Sequence, residues 1–94
     1  MIVSFKDADT KRLWESGMSR RIRAQLRRVA ARKLAMLNNV KNVELLRLPP
    51  ANRLEKLAGE RKGQYSIRVN DQYRVCFVWR DGNAYDVEVV DYHR

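Results

Sequence analysis

From Tyr65 onward, apolar residues recur at every second position in three consecutive runs. Tyr65, Ile67 and Val69 alternate with Ser66, Arg68 and Asn70, and Tyr73, Val75, Phe77 and Trp79 alternate with Arg74, Cys76, Val78 and Arg80. After the turn signal Asp81-Gly82-Asn83 come Tyr85, Val87 and Val89. Successive side chains of a strand point to opposite faces, so a period of two predicts strands with one face on a core. Three such runs joined by short polar turns predict an antiparallel meander. Opposite residues share a face, so the apolar sets must meet. A loop at 70–72 pairs Val69 with Tyr73, Ile67 with Val75, Tyr65 with Phe77 and Arg68 with Arg74. A loop at 81–83 pairs Trp79 with Tyr85, Phe77 with Val87 and Val75 with Val89, and leaves Cys76 near Glu88 and Arg74 near Val90.

The first half of the chain follows a different period. Ile2 to Phe5 reads as a short first strand. Asp7 and Asp9 are N-cap candidates for a short helix through Trp14, which Gly17 would end. Ser19 is then expected to cap a longer helix, in which Ile22, Leu26, Val29, Ala30, Leu34, Met36, Leu37 and Val40 share one face at 3.6 residues per turn. Lys33 falls inside that stripe and is expected to carry its head out to solvent. Pro49-Pro50 stops any helix, and Asn52 to Gly63 reads as a polar loop with at most one helical turn. The expected architecture is α+β, two helices and a short N-terminal strand on an antiparallel meander. Ninety-four residues suit a single domain over 1–94.

Charge is distributed unevenly. Residues 1–47 hold 12 basic and 4 acidic side chains, whereas residues 48–94 hold 8 and 7, so the net +9 lies almost wholly in the first half. Between Lys11 and Lys33 nine cations face a single acid, Glu15. Such a surface attracts polyanions, and its lack of i+4 acidic partners argues against a face stabilised by its own ion pairs. Arg20, Arg21, Arg23, Arg27 and Arg28, with Arg53, Lys56, Arg61 and Lys62 from the later loop, are the candidate nucleic-acid contacts.

One cysteine and one histidine leave few chemistries open. Cys76 has no internal disulfide partner, which fits a reducing cytoplasm. A His/Cys metal cage and a two-histidine acid–base mechanism both lack the residues. No apolar run approaches the roughly 20 residues that span a bilayer, and residues 1–9 lack a signal-peptide core. Asp86 and Glu88 share a strand face, where an ion pair with a nearby cation is expected over a Mg²⁺ site.

The arginine pair is the sharper signal. Arg68 across from Arg74 is repulsive by itself, and a phosphate between them would turn that cost into charge-assisted, bidentate contacts. The plain alternative is two arginines splayed into water. Asp91-Tyr92-His93, just after the last strand, gathers a carboxylate, a phenol and an imidazole suited to proton transfer.

Asn52-Arg53-Leu54-Glu55, then the run from Leu57 through Ser66-Ile67-Arg68-Val69-Asn70-Asp71-Gln72-Tyr73-Arg74-Val75-Cys76-Phe77, and finally Val89-Val90-Asp91-Tyr92-His93, strongly resemble the HigB toxins of the RelE-like superfamily, also described as plasmid-maintenance killer proteins. Ile2 to Phe5 and Arg32-Lys33-Leu34-Ala35-Met36-Leu37 are similar too, so the likeness covers nearly the whole chain. It implies a type II toxin that cleaves mRNA in the ribosomal A site without metal or cofactor. It also implies a HigA-type helix-turn-helix antitoxin, through which operator DNA would be met only indirectly. Arg68, Arg74, Asp91, Tyr92 and His93 match the family's functional positions. Where some members carry a loop lysine this chain has Ala58, with Lys56, Arg61 and Lys62 as the nearby cations.

The reaction so implied is attack of the neighbouring 2′-hydroxyl on the phosphate, with the arginines stabilising developing charge and His93 moving a proton. A non-catalytic ribosome- or RNA-binding inhibitor would use the same charge distribution. A DNA-binding regulator fits less well, because no short turn joins two helices in the helix-turn-helix manner.

Overall fold

A computed structural model describes residues 1–92 as two helices on one face of a four-stranded antiparallel sheet, an α+β fold. Helix α1 spans Ala8–Ser16. Asp7 is its N-cap, accepting the Thr10 N–H at 2.7 Å, and Gly17 closes it at φ 77°, a left-handed conformation that costs a residue without Cβ little. Asp9, the other cap candidate, instead holds the connection to the next helix, accepting from the Ser19 hydroxyl and the Arg20 N–H at 2.8 Å.

Helix α2 spans Ala24–Asn39, and its first residues have no side-chain cap. The expected cap at Ser19 lies one turn too early: Ser19 Oγ accepts from Ile22 N at 2.9 Å and caps a turn of the linker. Arg27 reaches back from the helix to donate to the carbonyls of Ile22 and Ser19, both at 2.7 Å, and so satisfies backbone groups that a longer helix would have paired internally. The apolar stripe behaves as expected. Ile22, Ala30, Leu34 and Leu37 are fully buried, and Leu26, Val29, Met36 and Val40 pack around them.

Strands β2 (Gln64–Arg68), β3 (Tyr73–Arg80) and β4 (Asn83–Asp91) form the meander. Tyr65 pairs with Phe77, Ile67 with Val75, and Arg68 with Arg74, in the register that the alternation requires. Asn70 Oδ1 secures the 70–72 loop by accepting from the backbone N–H groups of Gln72 and Tyr73. On the second hairpin Val75 meets Val89, Cys76 meets Glu88 and Arg74 meets Val90.

Beyond Cys76 the expected pairing fails. Val78 meets Tyr85 and Trp79 meets Ala84, because the turn has only two residues, Asp81 and Gly82, both at positive φ (52° and 79°). That tight turn matches the strand twist better than a three-residue loop. The extra residue is absorbed by a β-bulge where Asp86, at φ 52°, and Val87 sit opposite Phe77. The bulge resets the alternation, so that both Ala84 and Val87 are buried.

Two further differences lie at the sheet edges. Ile2 to Phe5 forms no ladder of its own; isolated parallel bridges, Ile2 to Ala84 and Phe5 to Val87, tie it along the outer edge of β4. At the opposite edge, inside the segment read as loop, Glu55–Lys56 is a short strand β1, pairing Glu55 with Ser66 and Lys56 with Tyr65. The one helical turn allowed there is Gly59–Arg61. Two residues are too few to show alternation, so β1 had no sequence signal. No helix among the described residues is long and apolar enough to cross a membrane.

Candidate active site

Opposed across β2 and β3, the two arginines occupy different environments. Arg74 is buried, with 9% of its surface exposed. Its Nε donates to Ser66 Oγ at 2.7 Å, and its Nη2 donates to the carbonyl of Arg53 at 2.6 Å. Its Nη1 lies 4.0 Å from Glu55 Oε1. Burial, reinforced by the charges of Arg68 and Arg53, pulls its pKa below the usual guanidinium range against the opposing influence of Cys76 and Tyr92. The residue therefore has a packing role that strand register does not reveal: it pins the Arg53 turn, at φ 45°, and strand β1 to the sheet. The picture of two arginines splayed into water is wrong for Arg74.

Arg68 is only half-buried, and its Nη2 bonds to the carboxylate of Asp71, which is itself almost fully exposed. This pair lies at the surface and is open to exchange with another anion. Arg68 and Arg74, with Arg53, Glu55, Asn70, Asp71 and Tyr92, line one cleft of about 360 Å³. The cleft is polar, and among the described residues three arginines, Arg53, Arg68 and Arg74, line it.

Tyr92 is thus brought to the arginines. Its backbone N–H donates to Gln72 O, and the Arg61 guanidinium lies over its ring at 5.8 Å. Asp91 ends β4 opposite Tyr73 and accepts from Gln72 Nε2 at 3.0 Å; it does not line the cleft. His93 lies outside the described residues.

Among the loop cations, Arg61 reaches inward, while Lys56 and Lys62 stay exposed at the surface, Lys56 over the ring of Tyr65. Arg61 bonds to Glu88 at 3.1 Å, and Lys6 pairs with the same carboxylate at 3.3 Å. Glu88 is therefore an ion-pair partner, as expected over a Mg²⁺ site, while Asp86 is exposed. Burial opposes the Arg61 charge, but the Glu88 hydrogen bond and nearby negative groups outweigh it and raise its pKa. Beside them burial pushes the Cys76 thiol up to about 11, so the sulfur is neutral and poorly nucleophilic at physiological pH.

The basic helical region divides in the same way. Arg20, Arg23 and Arg28 are exposed, Arg21 pairs with Asp7 at 3.0 Å and Asp9 at 3.5 Å, and Arg27 is tied to the linker carbonyls. Lys33 does not carry its head to open solvent; its Nζ donates to buried Asn52 Oδ1 at 2.6 Å. Sequence reasoning missed Glu55, Asn70 and Asp71 as lining residues. Glu55 lies in the run Asn52-Arg53-Leu54-Glu55 that carries the family resemblance, but the strand that brings it to the cleft has no sequence signal of its own.

Comparison with known proteins gives the family and the fold. Residues 3–93 match the HigB-like toxin family, described as the RelE-like toxin of the type II toxin–antitoxin system HigB. The chain is 41% identical over 85 residues to Toxin HigB-1 of Vibrio cholerae serotype O1, covering 89% of this chain and 90% of that one. It is 35% identical over 94 residues to Endoribonuclease HigB of Proteus vulgaris, covering 99% and 100%. Its fold is shared with the YoeB–YefM complex from Staphylococcus aureus, at a TM-score of 0.59 and 14% identity over 100% of this chain and 99% of that one. The protein belongs to the HigB-like family of RelE-like toxins of type II toxin–antitoxin systems.

Proposed function

We propose that this toxin is a ribosome-dependent endoribonuclease that cuts mRNA in the A site. The carrying observation is that Arg68 and Arg74, opposed across β2 and β3, line one cleft with Tyr92. The Proteus vulgaris relative's name, Endoribonuclease HigB, supports the reaction class. The 2′-hydroxyl attacks the adjacent phosphorus and the P–O5′ bond breaks, leaving a 2′,3′-cyclic phosphate and a 5′-hydroxyl. The guanidiniums stabilise the doubly charged phosphorane, so the reading assigns no step to a metal. Arg74 supplies a fixed charge, and Arg68 exchanges Asp71 for the phosphate.

Two protons move. Glu55 lines the cleft and is assigned the proton taken from the 2′-hydroxyl. His93, with Asp91 and Tyr92, is assigned the proton delivered to the leaving oxygen. Arg20, Arg23 and Arg28, all exposed, are assigned to ribosomal RNA phosphates, and the cytoplasm is the location that this reading requires. A HigA-type antitoxin neutralises it; the YoeB neighbour, solved with YefM, supports an antitoxin partner.

The competing reading is a blocker that uses the arginines only as an anchor, and Arg74's structural bonds favour it enough to require a test. Primer extension on a defined mRNA, with translating ribosomes present or absent, separates the two. Cuts within codons only in the presence of ribosomes support the nuclease. Halted translation with intact mRNA overturns it.

A further inference from the structure

A second cleft, of about 300 Å³, opens between α2, the Pro49–Ala51 turn and the end of β2. Among the described residues its lining includes Arg32, Lys33 and Arg68, no carboxylate, and an apolar wall of Val29, Met36 and Val69. Arg68 also lines the first cleft, so the two clefts share this residue.

The ammonium of Lys33 is placed there by a buried amide. Asn52 is fully buried and its Nδ2 donates to the carbonyls of Leu46 and Leu48, at 3.1 and 3.4 Å. That fixes its Oδ1 toward Lys33, which donates to it at 2.6 Å. Lys33 keeps two further N–H donors. Burial, together with the charges of Arg32 and Arg68, lowers the Lys33 pKa; of the three cations, Arg68 pairs with the exposed Asp71 carboxylate. A lysine inside an apolar helix stripe, held beside two arginines by a dedicated hydrogen bond, is poorly explained by packing alone. A bound phosphate would bring a compensating negative charge and charge-assisted acceptors to this cluster.

We propose that this cleft is the subsite for a nucleotide flanking the scissile phosphate of the RNA, with the nucleotide's phosphate on Lys33, Arg32 and Arg68 and its base against Val29, Met36 and Val69. The assignment rests on the ribonuclease reading for its substrate and adds where the neighbouring nucleotide sits. Cleft size and a mostly apolar wall with a few convergent polar groups suit a small planar ligand.

The test uses Lys33→Met, which keeps the apolar stem, and Arg32→Gln at an exposed position that should fold whatever the fate of the first. Anisotropy of a short fluorescent 2′-O-methyl RNA is titrated with salt, and cleavage kinetics are measured on programmed ribosomes. The expected result is about tenfold weaker RNA binding for each variant, as for loss of one charge-assisted contact. The salt slope should fall by about 0.7, and KM should rise with kcat nearly unchanged. If the wild type cleaves and both variants bind and cleave like it, the subsite is overturned while the nuclease stands. If the wild type does not cleave but the variants still lose RNA binding, the nuclease reading falls and the subsite survives. A wild type that binds no RNA at low salt overturns the subsite, as does a variant series that lowers kcat alone.

Discussion

Arg74 and Arg68 face each other across adjacent strands, yet one is locked by Ser66 and the Arg53 carbonyl while the other pairs with exposed Asp71. A fixed charge beside an adjustable one suits a phosphate that must enter, react and leave. The fixed charge gives preorganised stabilisation, and the adjustable one closes on the substrate.

Arg74→Ala should lower ribosome-dependent cleavage by roughly 10²–10³-fold, the scale for loss of a preorganised donor. It should also destabilise the fold by about 1–3 kcal/mol, because Ser66 and the Arg53 carbonyl lose a charged donor. Primer extension and urea denaturation of the same preparation measure both effects. Wild-type cleavage would remove Arg74 from the mechanism.

Arg68→Ala should lose activity while leaving the unfolding midpoint close to that of the wild type, since its partner is a solvent-exposed carboxylate. Asp71→Ala should leave activity unchanged or raised, because it removes the anion that competes for Arg68. An Asp71→Ala variant as inactive as Arg68→Ala would mean that the ion pair itself is required.

Glu55→Gln keeps the shape of the cleft wall but cannot take up a proton. A fall in kcat of about 10²-fold or more is expected for a general base. Undiminished kcat would assign proton removal elsewhere.

The basic helix should separate into structural and binding charges. Arg23→Ala with Arg28→Ala should weaken ribosome binding and flatten its salt dependence without affecting stability, because both side chains are exposed. Arg27→Ala should instead cost about 1–3 kcal/mol of stability, as the carbonyls of Ser19 and Ile22 lose their charged donor. Thermal melts and ribosome pelleting across a salt series check the contrast.

Cys76 gives an alkaline signature. Its pKa rises from 9.0 to about 11 on folding, so the unfolded state releases the proton first as pH increases. Its contribution to stability is constant below pH 9 and lost between pH 9 and 11. Cys76→Ala should remove that part of the alkaline decline. Denaturant unfolding of both proteins across this range measures it, and parallel curves would contradict the burial-driven shift.

Alternation from Tyr65 to Val75 was enough to determine the register that sets Arg68 opposite Arg74, because a one-residue slip would turn every apolar side chain away from the core. The helical period likewise determined which face of α2 is buried. Local chemistry determined the Asp7 cap and the Gly17 stop. The match to HigB-like toxins was legible from the run between Asn52 and Phe77.

Only the tertiary structure decided what each charge does. The two-residue turn and the bulge at Asp86 depend on strand twist, which alternation does not encode. Strand β1, and with it Glu55 in the cleft, exists because β2 offers an edge to pair with. Arg27 and Arg28 are neighbours of one residue type, yet one is tied to backbone carbonyls and the other faces solvent. The difference arises because hydrogen-bond partners and desolvation come from residues distant along the chain, brought near only when the helices pack on the sheet.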